Sequence, residues 1–304
     1  MPPVLQSPDQ PTPLQLVTEL HQLPPIARVL ARLQRLLSDP VSSLDGVAEL
    51  IRLDAALATR LIQISNSVWF GRGEPSQTIE DAVSRVGFRE VYRLVAVMAT
   101  NAVVASRLAV YGRDAGMMWR ESVVCAYAAE ILADRLGEDF AVAYTAGLLH
   151  ATGRQAINQH LLAAAERPSR LADESFPRDF SGAEFARLGF TQADVGAAML
   201  AKWDFAPAIV EPIRYQYAPL DAGEPHAAMA AILYGARILR TIVCQQQDPA
   251  FLRVDPKVLQ RVRLTLAEVV ACQPELQMQL KHARKLTATS QSGESSLAAL
   301  GPAS

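Results

Sequence analysis

Cysteine is scarce in this sequence. The 304 residues hold three, Cys125, Cys244 and Cys272, far apart and without a Cys-x-x-Cys pair. That excludes a disulfide framework and leaves reduced thiols, buried as small hydrophobes, in a protein expected in the cytoplasm. Aromatic residues make up only 6 %, and the evenly spaced short strands and turns of an all-β chain are missing, which sets sandwiches and barrels aside. There is no Lys/Arg-rich block, and the net charge is −2. Nucleic acid is therefore not an expected partner, because affinity for a phosphate backbone rests on clustered cations. The longest apolar stretch noted, residues 94–105, is interrupted by Asn101 and flanked by Arg93 and Arg107, far short of the ~20 residues of a membrane span. No membrane association is expected. Residues 1–13 are rich in proline and carry no basic residue ahead of an apolar run, unlike a signal or transit peptide.

What is present is helical patterning. Half the residues are apolar, with Ala, Leu and Val dominant, and they recur at helical spacing, so the chain reads as all-α. Pro24 and Pro25 open a first helix through Leu37. Later helices bury Val47 to Ile64, and Thr78 with Asp81 caps another that Gly87 stops. A helix over residues 89–108 is apolar on nearly every side and is expected to be the central post of the domain. Helices follow over 117–136 and 140–149, another starts beyond Gly153, and Ser181 with Glu184 has capping-box spacing ahead of helices at 192–203 and 207–215. Beyond a linker at 219–225, residues 227–244 and 257–280 read as two long helices. Residues 1–20 are expected to be a flexible leader, 21–220 the main helical domain, 221–285 a helical extension packed on it, and 286–304 a disordered tail poor in large apolar residues.

Several segments together resemble the HDOD family, relatives of the HD-type metal-dependent phosphohydrolases. They are Leu23-Pro24-Pro25; Leu53-Asp54-Ala55-Ala56-Leu57 through Ile64-Ser65-Asn66-Ser67; Ile79 with Ala82, Val83 and Val86-Gly87; Ala146-Gly147-Leu148-Leu149-His150; and Gly189 with Val195-Gly196-Ala197-Ala198 and Leu200-Ala201-Lys202-Trp203. The resemblance implies an HD-like helical bundle that acts in bacterial regulation through other signalling proteins, with a nucleotide second messenger as an alternative ligand. It does not imply hydrolysis.

In an active HD enzyme a His-Asp pair and further His and Asp residues hold divalent metals that activate water. Here His150 stands at the position of the pair's histidine, but Ala151 replaces the aspartate. Gln192 stands where relatives often carry histidine, and Gln216-Tyr217 replaces a terminal His-His pair. Three expected ligand positions cannot coordinate, so no metal, no cofactor and no catalytic residue are expected. His150, Arg154, Gln192 and Gln216 are the candidate remnant site, either a satisfied helix end or a contact for a ligand phosphate. The remaining histidines, His21, His160, His226 and His282, share no metal spacing. Glu121, Glu130 and Asp134 read as a solvated helix face. Asn66 reads as a left-handed helix stop, with Trp69 and Phe70 filling the core or anchoring a partner, and Trp203 as core. The resulting expectation is a non-enzymatic regulatory adaptor; the alternative is a residual phosphohydrolase or cyclic dinucleotide sensor. A DNA-binding regulator lacks its basic recognition helix.

Overall fold

The computed structural model describes residues 11–19, 44–52, 54–67, 70–71, 74–164, 171 and 180–288. The first predicted helix, Trp69 and residues 289–304 of the tail lie outside the described residues. Among the described residues the regular structure is helical, apart from a lone bridge between Leu108 and Arg113.

The N-terminal helices are α1 (Pro13–Glu19), α2 (Leu44–Arg52), α3 (Ala55–Ser65), α4 (Ile79–Val86) and α5 (Phe88–Val104). Residues 13–19, expected within a flexible leader, instead form α1, whose Leu16 and Val17 are buried. The Thr78 side chain accepts the Asp81 N–H at the start of α4, and Gly87 ends that helix at φ 85°, as the sequence suggests. Asn66 does not take left-handed geometry. Its amide bonds the Ser76 backbone in both directions, accepting from N–H at 2.7 Å and donating to the carbonyl at 3.2 Å, which closes the loop after α3.

Next come α6 (Ala115–Leu136), α7 (Phe140–Leu149) and α8 (Gly153–Ala163). The central post is α6, not α5. It packs most extensively on α7, and also on α5. Fifteen of its residues are buried, whereas Leu94, Val97 and Met98 of α5 are only partly covered. The small side chains of Cys125, Ala126, Ala128, Ala129 and Ala133 let neighbours approach α6 closely. At Gly147 the approach is backbone to backbone: a Cβ there would lie 2.6 Å from the Cys125 carbonyl oxygen and 2.7 Å from the Ala126 Cα.

The last group is α9 (Ser181–Leu188), α10 (Gln192–Lys202), α11 (Pro207–Arg214), α12 (Ala227–Gln245), α13 (Pro256–Arg261), α14 (Leu266–Val270) and α15 (Gln273–Ala288). Helix α12 lies against α6, α7 and α11, while α1 packs on α8 and α10. By length and composition α12 could cross a membrane, but 78 % of its apolar window is buried inside the protein, so it is a core helix. The single helix expected over 257–280 is broken into three. Arg263 takes φ 57°, and Thr265 and Glu268 form a reciprocal capping box that restarts the chain as α14.

The charges on α6 also depart from expectation. Asp134 is exposed and pairs with Arg89, but Glu130 is fully buried, gripped by Arg93 through Nε at 2.9 Å and Nη2 at 2.8 Å. Glu121 is buried as well. A carboxylate can leave the solvent where guanidiniums from neighbouring elements meet it, and one-helix periodicity does not reveal those neighbours.

Candidate functional site

The site forms at the corner between α7 and α8. Asp139 caps α7, its carboxylate accepting the N–H groups of Ala141 and Val142, and from Ala141 the helix runs buried to His150. A Cβ at Gly153 would lie 2.0 Å from the Gln192 carbonyl oxygen, so only glycine lets α8 start hard against α10.

The His150 ring is buried and held at both nitrogens. Nδ1 lies 2.8 Å from the Gly147 carbonyl oxygen, and Nε2 lies 3.0 Å from Arg240 Nη1. A carbonyl only accepts and a guanidinium only donates, so Nδ1 carries the proton and Nε2 accepts. Burial holds the imidazole well below its ordinary pKa, with the Arg240 and Arg154 charges acting in the same direction. The ring is neutral.

The His150 carbonyl oxygen accepts two side-chain amides, Gln192 Nε2 at 3.0 Å and Gln216 Nε2 at 2.8 Å. Gln192 Nε2 also reaches the Tyr217 hydroxyl at 2.9 Å, and Gln216 Nε2 the Ile213 carbonyl at 3.0 Å. Glutamines at the expected histidine positions thus act as N–H donors that tie α10 and the end of α11 to the corner. Their Oε1 atoms are buried without a hydrogen-bond partner among the described residues.

Behind His150 lies a cluster of charge. Glu121 is 3.9 Å from Arg113 Nη2, 3.8 Å from Arg154 Nη1 and 3.9 Å from Arg240 Nη1. Arg154 stacks over Tyr111 and Phe180, and Arg113 over Phe180. Glu184 accepts the Tyr111 hydroxyl at 3.0 Å and the Gln192 N–H at 2.7 Å. It faces inward rather than serving the capping box expected with Ser181; the start of α9 has no side-chain cap. Ala151 lines a small recess with Ser106, Leu108, Met118, Ser122, Thr152 and Gln155.

These residues do not fit a divalent metal. The Nε2 lone pair of His150 is taken by a guanidinium, and among the described residues no three His, Cys, Asp or Glu side chains converge on a common point. Two unit charges 4 Å apart interact by ~4 kcal/mol at an effective dielectric of ~20, and a dication beside three guanidiniums would meet that repulsion doubled and several times over.

The family model for the HDOD domain matches residues 23–219. This chain belongs to the HDOD family. All the segments that carry the resemblance lie within the matched span. A curated relative, an "Uncharacterized protein" of Treponema pallidum (strain Nichols), is 26 % identical over 208 residues, 66 % of this chain but only 39 % of that protein; the HDOD chain therefore spans well under half of that relative. Among solved structures, an HDOD domain protein with unknown function from Geobacter sulfurreducens matches with a TM-score of 0.65 and 22 % identity, covering 91 % of this chain and 97 % of the other. A "Putative phosphohydrolase" from Shewanella amazonensis SB2B matches with a TM-score of 0.63 and 24 % identity, covering 92 % and 98 %. At such identities the two share the HDOD fold with this chain.

Of the residues singled out from sequence, His150, Gln192 and Gln216 meet directly, and Arg154 joins them through the Glu121 cluster. Phe70 is half-buried against the core, away from that network of hydrogen bonds, and Trp203 is core. Sequence reasoning missed Arg113 and Arg240, and read Glu121 as part of a solvated face and Glu184 as a capping residue. Arg240 had left a signal: with Arg237 it supplies the only charges in the apolar run of α12.

Proposed function

We propose that this HDOD protein is a regulatory module of the cytoplasm that works through contacts with other signalling proteins and does not hydrolyse phosphate esters. The observation that carries the reading is the Arg240 guanidinium on His150 Nε2, since a ring nitrogen that accepts a cationic donor offers no lone pair to a metal. Ala151 supplies no donor, and Gln192 and Gln216 offer only neutral amide oxygens where an imidazole would stand. Family membership favours regulation over turnover, and a buried site whose histidine is held at both ring nitrogens favours a scaffold whose outer faces do the work.

The test is purified full-length protein assayed for bound metal and for phosphodiesterase and nucleotidase turnover with added Mn²⁺ or Mg²⁺. Background rates are expected, unchanged by His150→Ala. Tightly bound stoichiometric metal together with turnover that His150→Ala abolishes would overturn the proposal. Crosslinking in the native cell then identifies the protein partner, and recovery of signalling proteins is the expected result.

A further inference from the structure

We infer that Arg113, Arg154 and Arg240 form a buried receptor for a phosphate-type anion. All three are more than nine-tenths buried, at 7 %, 2 % and 3 % exposure. In each, Nε has no hydrogen-bond partner among the described residues. Glu121 holds them at 3.8–3.9 Å, within ion-pair range but beyond hydrogen-bond distance. One carboxylate thus gathers three guanidiniums by charge alone and leaves the Nε donor of each unspent, while Arg240 also gives Nη1 to His150 and Nη2 to Thr241.

Charge balance points the same way. Among the described residues three buried guanidiniums face two buried carboxylates, Glu121 and Glu184, and Glu184 already accepts from Tyr111 and Gln192. His150 is neutral and adds no compensating charge. The excess is positive and enclosed, where an anion gains most from charge-assisted bonds. Guanidinium forks match phosphate oxygens in shape, and the aromatic faces of Tyr111 and Phe180 fix the forks of Arg113 and Arg154 in place. The recess at Ala151 is lined by chain neighbours of the cluster and by none of the three arginines themselves. Its wall includes Ser122 beside Glu121, Thr152 two residues before Arg154, and Leu108, which is paired through its backbone with Arg113.

The inference deepens the regulatory reading by naming a ligand class, and it rests on that reading only in taking the anion as bound and not hydrolysed. The experiment is calorimetry and ³¹P NMR on the full chain with inorganic phosphate and with adenosine monophosphate, against chloride at matched ionic strength. Phosphate is expected to bind one per chain and broaden its ³¹P line, and Arg154→Gln is expected to weaken it by about tenfold or more. Arg154→Lys, which keeps the charge and loses the fork, should weaken it less; it also serves if the glutamine variant does not fold. Tighter binding of the nucleotide assigns the anion to an ester, and binding of phosphate alone assigns it to the free ion; either supports the site. No heat and no ³¹P broadening with both ligands overturns it, as does a response that chloride matches or that Arg154→Gln and Arg154→Lys both leave unchanged. Release of phosphate from the nucleotide would instead overturn the regulatory reading and leave the site standing.

Discussion

An imidazole buried between a carbonyl and a guanidinium has no protonation choice left, and that fixes how His150 responds to acid. Protonating Nε2 would place a cation against Arg240 in a buried site, so the folded-state pKa lies well below the ordinary 6.5, from burial first and then the charges of Arg240 and Arg154. The unfolded chain therefore binds this proton at a higher pH than the native protein does. From about pH 6.5 downward acid draws the equilibrium toward unfolding, with a slope of up to ~1.4 kcal/mol per pH unit from this group until its folded pKa is reached. Above that window His150 contributes no pH dependence. Denaturant titrations at pH 7.5 and pH 5.5 should show a larger loss of stability in the wild type than in His150→Gln. Equal losses in the two proteins would contradict the neutral, arginine-capped ring. At this scale the sequence singled out His150, Gln192 and Gln216, which the structure brings together, but not the arginine that meets the ring. Arg240 lies 90 residues from His150, and no local pattern connects them.

Helices were legible where their ends carry local chemistry. The Thr78 cap and the Gly87 stop sit within a few residues of the bonds they make, so sequence alone locates them, and the limits of α7, α10, α11 and α12 fall within a residue or two of expectation. The three-way split over 256–288 could have been read from Thr265-x-x-Glu268, a capping box inside what looked like one helix. Which helix lies at the centre was not legible, because centrality depends on close approach rather than on apolar content. Gly147 tests that account. Replacing it with alanine drives a Cβ into the backbone of α6 at Cys125 and Ala126, where no side chain can swing aside. Overpacking of this kind costs ~1–3 kcal/mol or more. Gly182→Ala, in α9 with nothing within 4 Å of the added Cβ, should stay within ~0.5 kcal/mol of wild type. Chemical denaturation of the two variants decides the matter; equal stabilities would mean α6 and α7 do not depend on that backbone contact.

The matched HDOD span ends at residue 219, yet the arginine that caps His150 comes from α12, beyond it. The whole molecule therefore builds the site from two stretches of chain, and the later stretch also closes the core. Arg237 of the same helix donates to the Gln216 carbonyl at 2.6 Å and stacks on Tyr217, so α12 holds both His150 and the Gln216-Tyr217 end of the corner. Ile232, Leu233 and Leu239 are among its fully buried residues. Each such side chain contributes ~1.5–3 kcal/mol on burial, so losing these three alone would remove ~5–9 kcal/mol from a domain whose net stability is ~5–15 kcal/mol. A chain ended at residue 222 is accordingly expected to lose its cooperative thermal transition and to aggregate, as followed by circular dichroism and size-exclusion chromatography. Arg240→Met, which keeps the helix and much of the volume, should stay folded while releasing His150, whose imidazole pKa then rises toward the ordinary range in a histidine NMR titration. If the truncated chain instead melts cooperatively, the HDOD span folds alone and α12 is an accessory that reached the site after the domain was complete. The two outcomes separate a helix that belongs to the fold from one that only modifies it, because the core contacts act on stability and the Arg240 contact acts on the titration of a single ring.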